Sequence, residues 1–235
     1  MDEQRWKERA GSFGPAADVY DRSRPTYPVE AVRWLLPPDA RRVLDLGAGT
    51  GKLTQVLLDL GLDVVAVEPS EQMRAYVPAR AEVLEGGAEQ IPLPDASVDA
   101  VLVGQAFHWF DQEPALREMA RVLRPGGTVG LLWNLRDESV EWVRQVWELL
   151  GTDSVEMSFP FPAQAGLSAP EHQVFSLEQP LDADLLIDLV ASRSVLLTMP
   201  EDERVELLGR IRTLAPADEG FVLPYRTEAW RSVRT

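Results

Sequence analysis

The chain has 235 residues, with 38 acidic side chains against 23 Lys and Arg, a net charge of −15 and no cysteine. That length can bury a core without covalent staples, and the absence of thiols excludes disulfides, thiolate metal ligands and cysteine nucleophiles. The acidic balance opposes a phosphate backbone, so nucleic acid is not expected as a partner. The two histidines, His108 and His172, leave a zinc site short of its usual ligands, so no metal is expected.

The opening MDEQRWKERAGSFG is charged and lacks an apolar run of signal-peptide length, and no later segment reaches the length of a membrane span. A soluble cytoplasmic protein with no membrane partner is expected. From residue 41, RRVLDL reads as a strand, and KLTQVLLDL (52–60) as a helix stopped by Gly61. LDVVAV is a second strand, 70–79 a helix, AEVLE a third strand and DAVLVG (99–104) a fourth. A helix over 111–123 follows, then an RPGG turn and a fifth strand, TVGLLWN. Alternating strands and helices predict a parallel sheet covered on both faces.

After Asn134 the rhythm changes. Helices are predicted over 137–150, 182–192 and 201–214, and strands at VFSLEQ and FVLPYRTEAW, around a stretch rich in Pro, Phe and Gly over 158–170. No clean linker, repeat or low-complexity tract appears. A single domain over 1–235 is therefore expected, with an arm over 1–40, a cofactor-binding core over 41–134, and remaining strands and helices over 135–235.

LDLGAGTGKL puts Gly47, Gly49 and Gly51 between a strand and a helix, where backbone approaches a ligand closely and helix-start amides favour an anionic group. A tight structural turn would explain one glycine, but three in this register point to a ligand loop. A Walker loop would need Gly at Leu46 and Ser or Thr at Leu53, and a dinucleotide fingerprint would need Gly or Ala at Lys52. Glu68 ends the second strand, where an acid can accept hydrogen bonds from both ribose hydroxyls of a nucleoside.

DLGAGTG followed by VEPS resembles the class I S-adenosylmethionine-dependent methyltransferases. The wider set YDRSRPTYP, AVEPSEQM, GGAEQIPLPDASVDAVLVGQAFHWFD, LRPGG and LLWNLRD is similar to their methyltransferase type 11 branch, which includes trans-aconitate-methyltransferase-like proteins. The match is dense from Tyr20 to Asp137 and thinner beyond. The resemblance implies a Rossmann-like, seven-stranded, mostly parallel sheet with helices on both faces, an antiparallel last strand and a helical lid near the C-terminus. It also implies methyl transfer from S-adenosyl-L-methionine to a small-molecule acceptor at oxygen, carbon or a carboxyl group.

Carried over by residue, Asp45, Gly47, Ala48, Gly49, Thr50 and Gly51 face the methionine portion of the cofactor, and Glu68 holds the ribose. Pro69 and Met73 flank the adenine, Ala88 and Glu89 lie near its amino group, and Gln105 and Phe107 close the sulfonium side. Arg24 pairs with the methionine carboxylate and Tyr20 donates beside it, although a surface arm tied down by Tyr27 would also explain this stretch. Ordinary helix packing also explains Met73, and a solvated loop explains Glu89.

In QAFHWF (105–110) the aromatic residues would wall the reaction site, with Trp109 toward the acceptor and His108 as base, as a positioning group or as a brace of the loop. Arg136 and Arg193 could clamp an acceptor carboxylate, although the helix dipole alone would explain Arg193. Trp133 and Trp142 fit core packing better than a pocket edge. Two rivals stand beside methyl transfer. One is a nicotinamide-dependent oxidoreductase, disfavoured by Lys52 and by the lack of a Tyr-x-x-x-Lys relay. The other is a non-catalytic S-adenosylmethionine-binding partner protein.

Overall fold

The computed structural model describes residues 22–151, 166–193, 196, 199–216 and 220–235. Tyr20 lies outside them, as do most of 158–170. The strands are β1 (Arg42–Leu46), β2 (Asp63–Val67), β3 (Glu82–Leu84), β4 (Val98–Gly104), β5 (Leu123–Arg136), β6 (Glu171–Leu181) and β7 (Phe221–Val233). They form one seven-stranded sheet in the order β3-β2-β1-β4-β5-β7-β6. The pairs β1–β2, β1–β4, β2–β3 and β4–β5 are parallel. β7 runs antiparallel to β5: Arg234 N donates to Gly127 O at 2.8 Å, and Asp137 N, just past the end of β5, donates to Pro224 O at 2.9 Å. This is the architecture expected from the sequence.

β1, β2 and β4 are short Val, Leu and Ala runs buried on both faces, as a covered parallel sheet requires. The described helices of four or more residues are α1 (Val29–Leu35), α2 (Lys52–Asp59), α3 (Glu71–Arg74), α4 (Gln112–Val122), α5 (Glu141–Leu149), α6 (Ala183–Ala191) and α7 (Glu201–Leu214). α2 buries Leu53, Val56 and Leu57 at helical spacing. It stops in a Schellman turn, in which Gly61 N donates to Leu58 O and Leu62 N to Leu57 O.

Three boundaries differ from expectation. The helix predicted over 70–79 ends at Arg74, because Pro78 disfavours helical geometry at Val77, and Tyr76 and Val77 close tighter turns instead. RPGG lies inside β5, where the β4–β5 register shifts between Val98 and Ala100. The helix predicted from 137 begins at Glu141, since Asp137 N is already committed to Pro224.

The chain divides into two compact units, and the change of rhythm after Asn134 coincides with a boundary between them. A glycine-loop unit comprises Thr26–Asn134, Pro160–Ser176 and Thr227–Thr235; a helical unit comprises Met1–Pro25, Leu135–Phe159 and Leu177–Arg226. The first has a core of Val32, Leu35, Leu57, Leu102 and Leu132 with their neighbours, and the second a core of Val146, Trp147, Leu186, Val190, Ile211 and Leu223 with theirs. Among the described residues no helix is long and apolar enough to cross a membrane, and no group of three or more acidic or histidine side chains could hold a metal ion.

Candidate active site

In the glycine-loop unit the strand order reverses at β1, between β2 and β4, which places a crevice at the carboxyl ends of these strands. The chain there runs from Leu46 into Gly47, from Val67 into Glu68 and from Gly104 into Gln105. The glycine loop is tightly wound. Gly47 N and Ala48 N both donate to Val67 O, at 2.8 and 3.1 Å, Gly51 N donates to Ala48 O at 2.9 Å, and Gly49 N donates to Glu68 Oε2 at 3.0 Å. Four amides of the loop are therefore committed internally, which corrects the expectation that they await an anion. Gly47 sits at φ +71°, and a Cβ there would come within 2.8 Å of Ala106 Cβ, so only glycine fits. Thr50 Oγ1 is buried with no hydrogen-bond partner among the described residues, an orphan that a ligand would satisfy.

Glu68 is 8% exposed. Its carboxylate accepts from Ser70 N at 2.9 Å and Gly49 N at 3.0 Å, one bond per oxygen. A carboxylate has about four acceptor positions, so roughly two remain for ribose hydroxyls. Burial raises its pKa, and the two amides oppose the shift. Arg74 fixes this turn by donating to the carbonyls of Glu68 and Pro69 and pairing with Glu85 at 3.0 Å, a role that sequence reasoning missed. Pro69 is exposed and Met73 buried, with Met73 N capped by Ser70 Oγ at 3.3 Å. Ala88 is buried, and Glu89 is exposed and accepts from Asp111 N at 2.9 Å, where an acid suits the start of α4.

Asp45, expected to face the ligand, is 1% exposed and accepts from Thr54 Oγ1 at 2.6 Å, tying β1 to α2. Burial pushes its pKa up to about 7 against the opposing Thr54 bond.

Gln105 adopts φ +57°, a left-handed conformation unusual for a residue with a side chain and typical of functional sites. Its Nε2 donates to the Asn134 carbonyl at 3.1 Å. Phe107 is 1% exposed and packs edge-on against Phe110 and Trp133, with centroids at 6.0 and 6.5 Å. The aromatic wall expected there is thus in part core, and Trp133 is core as well. His108 and Trp109 belong to a 3-10 turn over Phe107–Trp109, with ring centroids 4.7 Å apart. His108 reaches solvent, yet the protein around it desolvates the imidazolium and lowers its pKa to about 4. Contact with solvent weakens that shift without reversing it, so the ring is neutral near pH 7.

In the helical unit, Arg24, Arg136 and Arg193 are half-buried. Arg136 lies over the Trp147 ring at 4.5 Å, and its ion pair with Glu138 spans 3.8 Å. The buried Nε atoms of Arg136 and Arg193 have no hydrogen-bond partner among the described residues. Burial lowers their pKa values to about 10 and about 9, helped by the like charges of Arg24 at both and of Arg136 at Arg193. Trp142 stacks edge-on with Phe221 in the core of this unit.

A mostly parallel sheet with an antiparallel β7, a glycine loop after β1 and an acid after β2 define a class I methyltransferase architecture. The methyltransferase domain family matches residues 44–131. An uncharacterized methyltransferase of Mycobacterium tuberculosis is 50% identical over 237 residues, covering 94% of this chain and 95% of that protein. The malonyl-[acyl-carrier protein] O-methyltransferase of Pectobacterium atrosepticum is 32% identical over 234 residues, covering 92% of each. A solved structure from Anabaena variabilis, described as a candidate methyltransferase of an antibiotic biosynthesis pathway, superposes with a TM-score of 0.63 at 24% identity, over 86% of this chain and 95% of that one. The chain belongs to the methyltransferase family.

Proposed function

We propose that the protein binds S-adenosyl-L-methionine on the glycine-loop unit and methylates an acid oxygen of a small-molecule acceptor. One observation carries the cofactor assignment: the loop amides are donated within the protein while Glu68 keeps acceptor positions open, which suits a nucleoside and leaves little for a pyrophosphate. Thr50 Oγ1 and the open space beside Gly49 fit the same ligand. Bound there, the cofactor supplies an electrophilic methyl group on a sulfonium.

The residues of this chain hold and orient. Glu68 receives the ribose, Arg74 keeps Glu68 in place, and Gln105 bounds the crevice beyond β4. Arg136 and Arg193 are assigned to the acid group of the acceptor, because their guanidiniums are short of acceptors among the described residues. A carboxylate oxygen has already lost its proton near neutral pH, so attack on the methyl carbon needs no base. Transfer of the cofactor's methyl group to a carboxylate oxygen would need no proton transfer, which leaves the residues of this chain to orient the acid and exclude water. The downward shift of the His108 pKa suits this, since a lowered pKa makes the ring a weaker proton acceptor. A relative named as an O-methyltransferase supports oxygen as the atom modified.

The test is ligand-dependent melting followed by turnover. S-adenosylhomocysteine raises the melting temperature and NAD does not, because only a ligand of the native state stabilises it. Incubation with S-adenosylmethionine and a panel of carboxylic acids then yields methyl esters with release of S-adenosylhomocysteine. Stabilisation by NAD alone would overturn the cofactor assignment, and methylation confined to amines or carbon acids would overturn the acceptor class.

A further inference from the structure

Between β3 and β4 the chain folds into a small hairpin, closed by an antiparallel bridge between Gly87 and Gln90, with Ala88 and Glu89 at its tip. Pro92 folds back on Gly86, where an added Cβ would lie 2.7 Å from Pro92 Cδ and 3.2 Å from Val67 Cγ1, so the hairpin closes against the residue before Glu68. At the tip, Glu89 Oε1 accepts from Asp111 N at 2.9 Å. The base of the hairpin, 91–95, buries Ile91 and Leu93 but belongs to no strand or helix, and Pro92 and Pro94 leave it without two of its backbone donors.

One side chain of α4 fixes that backbone. Arg121 uses all five of its N–H donors: Nε to Glu118 Oε1 at 2.7 Å, Nη1 to the Leu93 carbonyl at 2.8 Å and to Asp95 Oδ1 at 2.7 Å, and Nη2 to the Ile91 carbonyl at 3.0 Å and to Glu118 Oε2 at 2.7 Å. Glu118 Oε2 in turn accepts from Ile91 N at 2.8 Å. Backbone groups that a sheet ladder would otherwise satisfy are thus satisfied from a helix. A planar guanidinium can span such a set, and a lysine ammonium, with its donors on one atom, cannot. An ordinary surface bridge looks different: Arg117, exposed one turn earlier, pairs with Glu113 inside α4 at 2.6 Å.

We propose that Arg121, with Glu118 as its partner, is a positioning residue for nucleobase recognition: it holds the base of the hairpin and so sets where Ala88 and Glu89 stand beside the base of the bound nucleoside. This rests on the cofactor reading above. One base is told from another by the donors and acceptors on its edge, and a reader that shifts leaves polar groups unpaired for the right base as well as the wrong one. Loss of the clamp therefore erodes selectivity for the base, while Glu68, which has its own anchor in Arg74, still receives the ribose.

Titration calorimetry of the full chain with S-adenosylhomocysteine and with S-inosylhomocysteine, which carries hypoxanthine in place of adenine, tests this without turnover. Wild type prefers S-adenosylhomocysteine by about tenfold or more, the effect of one lost hydrogen bond and the polar group left unpaired. Arg121→Met weakens S-adenosylhomocysteine by about tenfold and S-inosylhomocysteine little, so the preference collapses, whereas Arg117→Met changes neither. Arg121→Lys keeps the charge and the stem and loses the preference in part, which covers a Met variant that fails to fold. Hydrogen exchange on the same proteins without ligand quickens at the amides of 87–95 in the Arg121 variants and keeps the wild-type rate across β1, β2 and β4.

Unchanged binding of both nucleosides by Arg121→Met, or an equal loss of both, would overturn the proposal, and so would a wild-type protein that does not distinguish them. If S-adenosylhomocysteine does not bind wild type, exchange separates the two readings. Faster exchange at 87–95 in the variants then means that the clamp stands and the cofactor assignment fails, and unchanged exchange overturns the clamp.

Discussion

Replacing Asp45 by Asn probes the buried acid at the end of β1. An aspartate in an unfolded chain titrates near 3.9, whereas burial holds this one at about 7. The native state therefore binds the proton more tightly than the unfolded state. The contribution of Asp45 to stability is fully present below about pH 4 and is lost as pH rises through the interval up to about 7. Each pH unit within that interval removes about 1.4 kcal/mol, or at most about 3 kcal/mol between pH 5 and pH 7. Asn does not titrate, and its amide oxygen can still accept from Thr54 Oγ1, which lies 2.6 Å from Asp45 Oδ2. Urea denaturation of both proteins at pH 5, 6, 7 and 8 is the assay. The stability of the variant relative to wild type should climb by about 3 kcal/mol from pH 5 to pH 8, most of it below pH 7. A difference that stays constant across the series would show that Asp45 does not titrate in this range, and the reasoning from burial would fail.

Other substitutions address separate links. Glu68→Gln removes the charge that receives the ribose and should weaken S-adenosylhomocysteine by about 1.5–3 kcal/mol, roughly a 10- to 150-fold rise in Kd by calorimetry; an unchanged Kd would exclude Glu68 from the site. With an identified acid acceptor, the rate should be flat from pH 6 to pH 8 and His108→Ala should keep kcat within about tenfold, less than the effect of losing a general base. A histidine limb near pH 6.5 that disappears in the variant would contradict this. Gly104→Ala would drive a Cβ to 2.5 Å from Tyr27 Oη and 2.7 Å from its Cζ. That overpacking should cost about 1–3 kcal/mol, read as a lower melting temperature, and an unchanged melt would mean that Tyr27 yields freely.

The order of strands and helices was legible because each short apolar run and each helical stripe carries its own period. The glycine loop and Glu68 were legible because a strand–turn–helix junction with an acid after the next strand is a local pattern. Phe107 was misjudged, since position after a strand does not say which way a ring turns, and it turns toward Phe110 and Trp133. The internal use of the loop amides was equally hidden, because the Val67 carbonyl that takes two of them belongs to another strand. Arg136 and Arg193 could be singled out one at a time, but the bonds beside them, from Tyr225 to Gln179, from Gln179 to Ser23 and from Arg24 to Ser192, join residues far apart in the chain.

Asn134 closes β4 and β5 with three bonds at once: its carbonyl accepts from Gln105, its Nδ2 donates to the Thr26 carbonyl at 2.8 Å, and its Oδ1 accepts from Thr227 Oγ1 at 2.7 Å. The left-handed kink at Gln105 is thereby clamped to the segment before α1 and to the far half of β7. A displacement of the backbone beside the reacting groups cannot stay local under such a clamp; it pulls on both anchors. Asn134 acts as a mechanical tie-bar, and the stiffness of the crevice beyond β4 depends on a residue expected to touch neither reactant.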